Sequence, residues 1–201
     1  MKIIEIKNLE LPEVKVIKFQ RFSDERGYFT ETFRKSEIFF ADKEFIQANE
    51  SHSQKGTVRG LHLQFNPFMG KLIRTIQGHM VDLVLDARKN SKTFGKIIAY
   101  DMPQTYDKDF GEWIWVPIGF AHGNFYPSET TIEYLCTGDY NPAGEVCISP
   151  IANDIDWTLF DPGLKEQFNA LVKNQPLFSE KDKNGLSIAT WKTDPRSNNF
   201  I

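Results

Sequence analysis

Apolar residues along this chain come in short runs broken by turn signals rather than in long helical stripes. "KLIRTI" is followed by Gln77-Gly78-His79 and then by "MVDLVLD", and "EWIWV" and "TIEYLC" come later. Short runs rich in β-branched and aromatic residues, at this spacing, predict many antiparallel strands in a sandwich or barrel. Within "TTIEYLCT", alternation sends Ile132, Tyr134 and Cys136 to one face and Thr131, Glu133 and Leu135 to the other. Two stretches carry a helical period. "RKSEIFFADKEF" offers Ser36 as an N-cap. "DPGLKEQFNALVKN" has Asp161 to cap it and Pro162 at the first helical position. Its Leu164, Phe168, Leu171 and Val172 form one apolar stripe. The pattern predicts an all-β fold with short helical additions near the ends.

Composition narrows the class. The 201 residues suffice for one domain with a full core, expected to span 1–201, and no repeat or linker divides them. Of these residues, 40% are hydrophobic and 25% charged, with a net charge of −3, which gives no electrostatic case for nucleic acid or an anionic membrane. The opening stretch "MKIIEIKNLELPEVKVI" is broken by charges, so no export signal is expected, and no run reaches the roughly 20 apolar residues of a membrane span. Cys136 and Cys147 form no C-x-x-C pair and read as reduced thiols of a cytoplasmic protein.

The candidate chemistry centres on "TVRGLHLQ", where His62 sits in a predicted strand. On its own a strand histidine is a satisfied core residue, a metal ligand or a general base. Arg59 and His62, three residues apart, would face opposite ways in a regular strand unless Gly60 hosts a bulge; otherwise Arg59 serves a partner subunit's ligand. Further on, Gly111, Pro117, Gly119 and His122 fall in the order G-x5-P-x-G-x2-H, which resembles the second motif of the cupin jelly rolls. The first cupin motif is represented only by His62-Leu63-Gln64. Two histidines and a neutral amide are a poor donor set for a divalent transition metal, so no metal centre is expected. His122 reads equally as a wall histidine or as a ligand contact.

The ordered set "DERGYFTETF", "QANESHSQKGTVRGLHLQ", "GKLIR", "WVPIGFAHG", "EYLCTGDYNP", "IDW" and "FSEKD" resembles the dTDP-4-dehydrorhamnose 3,5-epimerases. The resemblance runs from about Phe22 to Asp182 and implies a metal-free, cofactor-independent, dimeric cupin-type jelly roll of deoxysugar (rhamnose-type) biosynthesis. It implies a dTDP-4-keto-6-deoxyhexose substrate inverted at carbons 3 and 5 through an enolate. His62 then matches the family's base, Asp182 the residue that orients it, Tyr134 the opposite-face acid and Lys71 the enolate-stabilising cation. A histidine suits the base because its ordinary pKa lies close to working pH. Arg26 and Arg59 match diphosphate-contacting arginines, whose guanidinium forks suit phosphate oxygens. Glu31, Gln47 and Asn49 match nucleotide or sugar contacts, and Tyr140 is placed to stack on a base.

Three departures from the family pattern stand out. Ile148-Ser149-Pro150 occupies the place of a W-x-D triplet, the loop "MPQTYDKDFGEW" is long, and the predicted helix is inserted between Trp157 and Ser179, just before Asp182. The alternatives are a sibling that inverts only carbon 3 or only carbon 5 or uses another nucleotide, a non-catalytic sugar-nucleotide-binding jelly roll, and a metal-dependent cupin.

Overall fold

A computed structural model describes residues 1–41, 43–104 and 106–201. Its strands are β1 Ile3–Asn8, β2 Lys15–Gln20, β3 Phe22–Asp24, β4 Gly27–Phe29, β5 Gln47–Ser53, β6 Val58–Gln64 and β7 Lys71–Gln77. They continue with β8 His79–Asp86, β9 Ile97–Pro103, β10 Phe110–Val116, β11 Phe120–Phe125, β12 Thr130–Cys136 and β13 Glu145–Cys147. A six-stranded sheet runs β1-β2-β10-β7-β12-β5, a five-stranded sheet runs β13-β6-β11-β8-β9, and β3-β4 form a separate hairpin. All these pairings are antiparallel, and the two large sheets pack face to face as the expected jelly-roll sandwich.

The alternation of each strand divides its side chains between layers. Between the sheets lie Val16, Ile73, Ile114 and Ile132 from one and Met80, Val84, Ile98 and Phe120 from the other. The predicted turn at Gln77-Gly78-His79 carries the chain from β7 in one sheet to β8 in the other. Gly78 has φ +87°, and a Cβ there would lie 2.2 Å from the Glu129 carbonyl oxygen, so a side chain is excluded.

The outer face of the five-stranded sheet is covered by the C-terminal part of the chain, with helices α1 Pro162–Lys173, α2 Glu180–Lys183 and α3 Ile188–Thr193. The α1 expectation holds: the Asp161 side chain accepts from the Leu164 amide at 2.9 Å, and Pro162 opens the helix. Phe168 is buried against Phe125 (ring centroids 5.6 Å apart) and Trp157 (5.5 Å), with Leu164, Leu171 and Val172 packed on the same cluster. Trp191 of α3 is fully buried and donates its indole N–H to the Ala87 carbonyl at 2.8 Å. The inserted helix is therefore part of a core layer, anchored to the back of the sheet that carries His62.

The other predicted helix does not form. Around Ser36 the described residues make only a single 3-10 turn, Lys35–Glu37, and Asp42 lies outside the described residues. Here tertiary packing overrides local period: Phe33, Ile38, Phe40 and Phe45 lie over Trp113 and Trp115 on the outer face of the six-stranded sheet. No helix of the described residues is long and apolar enough to cross a membrane.

Candidate active site

The site begins with an irregularity in β6. His62 pairs with His122 and Arg59 with Asn124, so three steps along β6 match two along β11. The extra residue is a bulge at Gly60, whose φ is +101°. A Cβ there would lie 2.6 Å from both the Gly123 Cα and the His122 carbonyl oxygen, so only glycine fits. As a result Arg59 and His62, which a regular strand would turn to opposite faces, line one cavity of about 400 Å³ between the two sheets.

On the wall formed by the five-stranded sheet, the His62 Nε2 lies 2.6 Å from Asp182 Oδ1. The sequence separation is 120 residues, and it is closed by the capped turn of α2: the Ser179 side chain accepts from the Asp182 amide at 3.1 Å. Burial pushes the Asp182 carboxyl up, but the hydrogen bond and charge of His62, with Ser179 and the Gly60 backbone, hold it below the usual carboxylate range. An ionised Asp182 accepts a hydrogen bond from Nε2–H, and in that tautomer the ring's lone pair lies on Nδ1, 3.8 Å from Glu145 of the same cavity. The Cys147 thiol stands behind this pair, donating to Asp182 Oδ1 at 3.8 Å.

The facing wall belongs to the six-stranded sheet. Tyr134 and Cys136 of β12 and Lys71 of β7 line the cavity together with Ile132, as the alternation in "TTIEYLCT" predicts for the first, second and fourth of these. Burial pushes the Tyr134 phenol up and keeps it protonated at neutral pH. Lys71 makes no hydrogen bond or ion pair with the described residues, and burial pushes its ammonium below the usual range despite nearby Cys136, Glu145 and Asp82. A second imidazole–carboxylate pair closes the floor: His122 Nε2 lies 2.7 Å from the fully buried Asp82 Oδ2. Asp82 Oδ1 has no hydrogen-bond partner among the described residues, and burial pushes this carboxyl up against the opposing pull of His122.

Polar groups ring the mouth. The exposed Tyr140 donates its backbone N–H to Gln47 Oε1 at 2.8 Å, and Gln47 Nε2 donates to Asn49 Oδ1 at 3.0 Å. Arg59 spends its Nε on Ser53 Oγ at 2.9 Å and one Nη on the His52 carbonyl at 3.3 Å. Nine of the eleven candidate residues thus line one cavity: His62, Lys71, Tyr134, Asp182, Gln47, Asn49, Arg59, His122 and Tyr140. Arg26 and Glu31 do not line it. Arg26 sits at the tip of the β3–β4 hairpin, paired with Asp24 at 2.7 Å, and Glu31 is ion-paired with Arg34 and the Met1 amine.

Sequence reasoning missed Asp82, Asn124, Glu145, Lys181 and Cys147. Asp82 had a readable signal, a carboxylate inside the apolar run "MVDLVLD", where burial without a partner is costly. Glu145 and Lys181 form an ion pair across the cavity rim, visible only once β13 and α2 come together.

Known proteins place this geometry in context. A family model for dTDP-4-dehydrorhamnose 3,5-epimerase matches residues 8–190, which include every residue of the cavity wall. The dTDP-4-dehydrorhamnose 3,5-epimerase of Sinorhizobium fredii is 43% identical over 193 residues, covering 90% of this chain and 88% of that protein. The Neisseria gonorrhoeae protein of the same name is 37% identical over 203 residues and covers 96% of this chain, which spans 55% of that relative's length. Among solved structures, the dTDP-6-deoxy-D-glucose-3,5-epimerase of Legionella pneumophila, in complex with dTDP-4-keto-L-rhamnose, superposes with a TM-score of 0.77. It is 31% identical, covering 92% of this chain and 93% of that one. The sequence match over most of the chain and the shared sandwich lead to one conclusion: this chain belongs to the dTDP-4-dehydrorhamnose 3,5-epimerase family.

Proposed function

We propose that this chain, an isomerase of its family, inverts carbons 3 and 5 of a dTDP-4-keto-6-deoxyhexose with His62 as base and Tyr134 as acid. The observation that carries this reading is placement. The imidazole with a free Nδ1 comes from one sheet and the protonated phenol from the other, so a sugar ring in the cavity has one on each face. The ketone at carbon 4 acidifies the protons on carbons 3 and 5. Nδ1 removes one, the electron pair moves into the carbonyl, and the Lys71 ammonium neutralises the enolate oxygen. The phenol then delivers its proton to the opposite face, and solvent returns tyrosine and histidine to their starting states. Asp182 fixes the imidazole tautomer and stabilises the imidazolium. Lys71 suits the cation's role because it has no anionic partner among the described residues and burial disfavours its lone charge until the enolate forms.

Arg59, Gln47, Asn49 and Tyr140 at the mouth suit a diphosphate and a nucleoside, and His122 the sugar. The chain works as a single domain and as a homodimer. The hairpin supports the latter: Phe22 is 51% and Phe29 71% exposed there, a cost that a second copy removes. Lys15–Gln20 is flanked by β1 and β10, so pairing rests on the hairpin and not on β2. On this reading Arg26 serves the cavity of the second copy. Light scattering at micromolar concentration is expected to give twice the chain mass, and a monomer would count against the dimer. The two free, buried cysteines suit a reducing compartment, and we place the enzyme in the cytoplasm.

Every step above uses side chains alone, so EDTA is expected to leave turnover unchanged; loss on chelation that a divalent metal restores would contradict the scheme. The reaction itself is tested by incubation with dTDP-4-keto-6-deoxyglucose in D2O. Deuterium at both carbons 3 and 5 is expected. Incorporation at one carbon would make the enzyme a single-centre epimerase, and incorporation at neither would remove the epimerase reading.

A further inference from the structure

With Nδ1 of His62 as base, Asp182 at Nε2 has a positioning role, but the Cys147 thiol beside that pair has none. The geometry points to a site for a thiophilic divalent cation of the zinc class, held by His62 Nε2, Cys147 Sγ and Asp182 Oδ1, that switches the enzyme off. These three donor atoms lie within 4.8 Å of one another. Cys147 Sγ and Asp182 Oδ1 are 3.8 Å apart, and His62 Nε2 and Asp182 Oδ1 are 2.6 Å apart. Tetrahedral zinc at its usual bond lengths spaces its donors by about 3.3–3.8 Å, so the thiol and carboxylate already fit, while the imidazole swings away from the carboxylate by about 0.7 Å and toward the thiol, from which it lies within 4.8 Å. One imidazole, one thiolate and one carboxylate form a good zinc set, unlike the two histidines and amide that the cupin motifs would supply. His62 and Asp182 line the cavity, so the fourth coordination position opens toward water there.

The protons balance without a redox partner. In the resting site Nε2 carries a proton donated to Asp182, and the Cys147 thiol is protonated. A cation taking both positions releases the thiol proton to solvent and moves the imidazole proton from Nε2 to Nδ1. The ring stays neutral, but the lone pair that would accept the substrate's proton is gone. Inhibition follows from the same tautomer logic as catalysis, so this inference rests on His62 acting through Nδ1. Cys147 does not line the cavity but donates to Asp182, so the zinc sensitivity of each Cys147 variant is read against that variant's own zinc-free rate.

The test uses the whole protein and two readouts. Cobalt(II), the spectroscopic stand-in for zinc, is expected to give a near-ultraviolet thiolate charge-transfer band and visible four-coordinate bands. Both are expected to be lost in Cys147→Ser, with Cys147→Ala and circular dichroism confirming that loss of the fold is not the cause. In parallel, micromolar zinc is expected to inhibit epimerisation and EDTA to restore it. Cys147→Ser should need at least roughly 10-fold more zinc, the lower end of what even an outer-shell contact is worth. Absence of the band, or a band that persists in Cys147→Ser and so belongs to Cys136, would overturn the site. A band without inhibition would keep the cation site and overturn the Nδ1 base instead.

Discussion

His62→Ala is expected to lower epimerisation by on the order of 10⁴-fold, the upper end of what a positioned general base contributes. Deuterium exchange at carbons 3 and 5 should fall with it, because without a base no enolate forms for any acid to reprotonate. The loss should not come from unfolding. Asp182 keeps Ser179 and the Gly60 backbone as partners, and α2 stays anchored by Ile148–Leu186 pairing beside it. A stability cost of about 1–3 kcal/mol is expected from leaving the buried carboxylate without its imidazole. Its pH dependence has a definite sign. Native Asp182 is held below the usual carboxylate range, so the pair stabilises the fold above the unfolded value of about 4. That contribution disappears as pH falls through the lower native value. Denaturation of wild type and variant should therefore converge in acid and differ at neutral pH.

Tyr134→Phe is expected to lose inversion by on the order of 10²–10⁴-fold, the usual worth of a general acid. The substitution removes one hydroxyl and keeps the ring that packs beside Ile132 and Ile73 between the sheets. No hydrogen bond of the fold depends on that hydroxyl among the described residues, so folding and dimerisation should be preserved. If inversion survives at near wild-type rate, the proton comes from another group on that wall.

Much of this was legible in the sequence. Alternation placed Ile132, Tyr134 and Cys136 together, and the cap and stripe of α1 located that helix to the residue, because both signals are local. The dyad was legible only through ordered motifs, since nothing in the period of β6 or of α2 points one toward the other across 120 residues. The bulge at Gly60 was one of two open readings for Arg59, and the close approach of β11 that decides it is a tertiary contact. The helix expected around Ser36 failed for a related reason: Phe33, Ile38, Phe40 and Phe45 pack over Trp113 and Trp115, a spacing that no single helical stripe meets, while Phe39 is left exposed. Arg26 and Glu31 matched motifs yet lie away from their own chain's cavity, a placement no single-chain pattern can foresee.

The central claim is that base and acid work from opposite walls of one cavity. It is tested most directly by the ratio of deuterium exchange to inversion, read by NMR at carbons 3 and 5 in D2O, for Tyr134→Phe against wild type. Here His62 still forms the enolate and returns deuterium to the face the proton left, so exchange with retained configuration should remain measurable while inversion falls, raising the ratio by on the order of 10²-fold or more. Equal loss of exchange and inversion would contradict the account, because Tyr134 would then be no opposite-face acid.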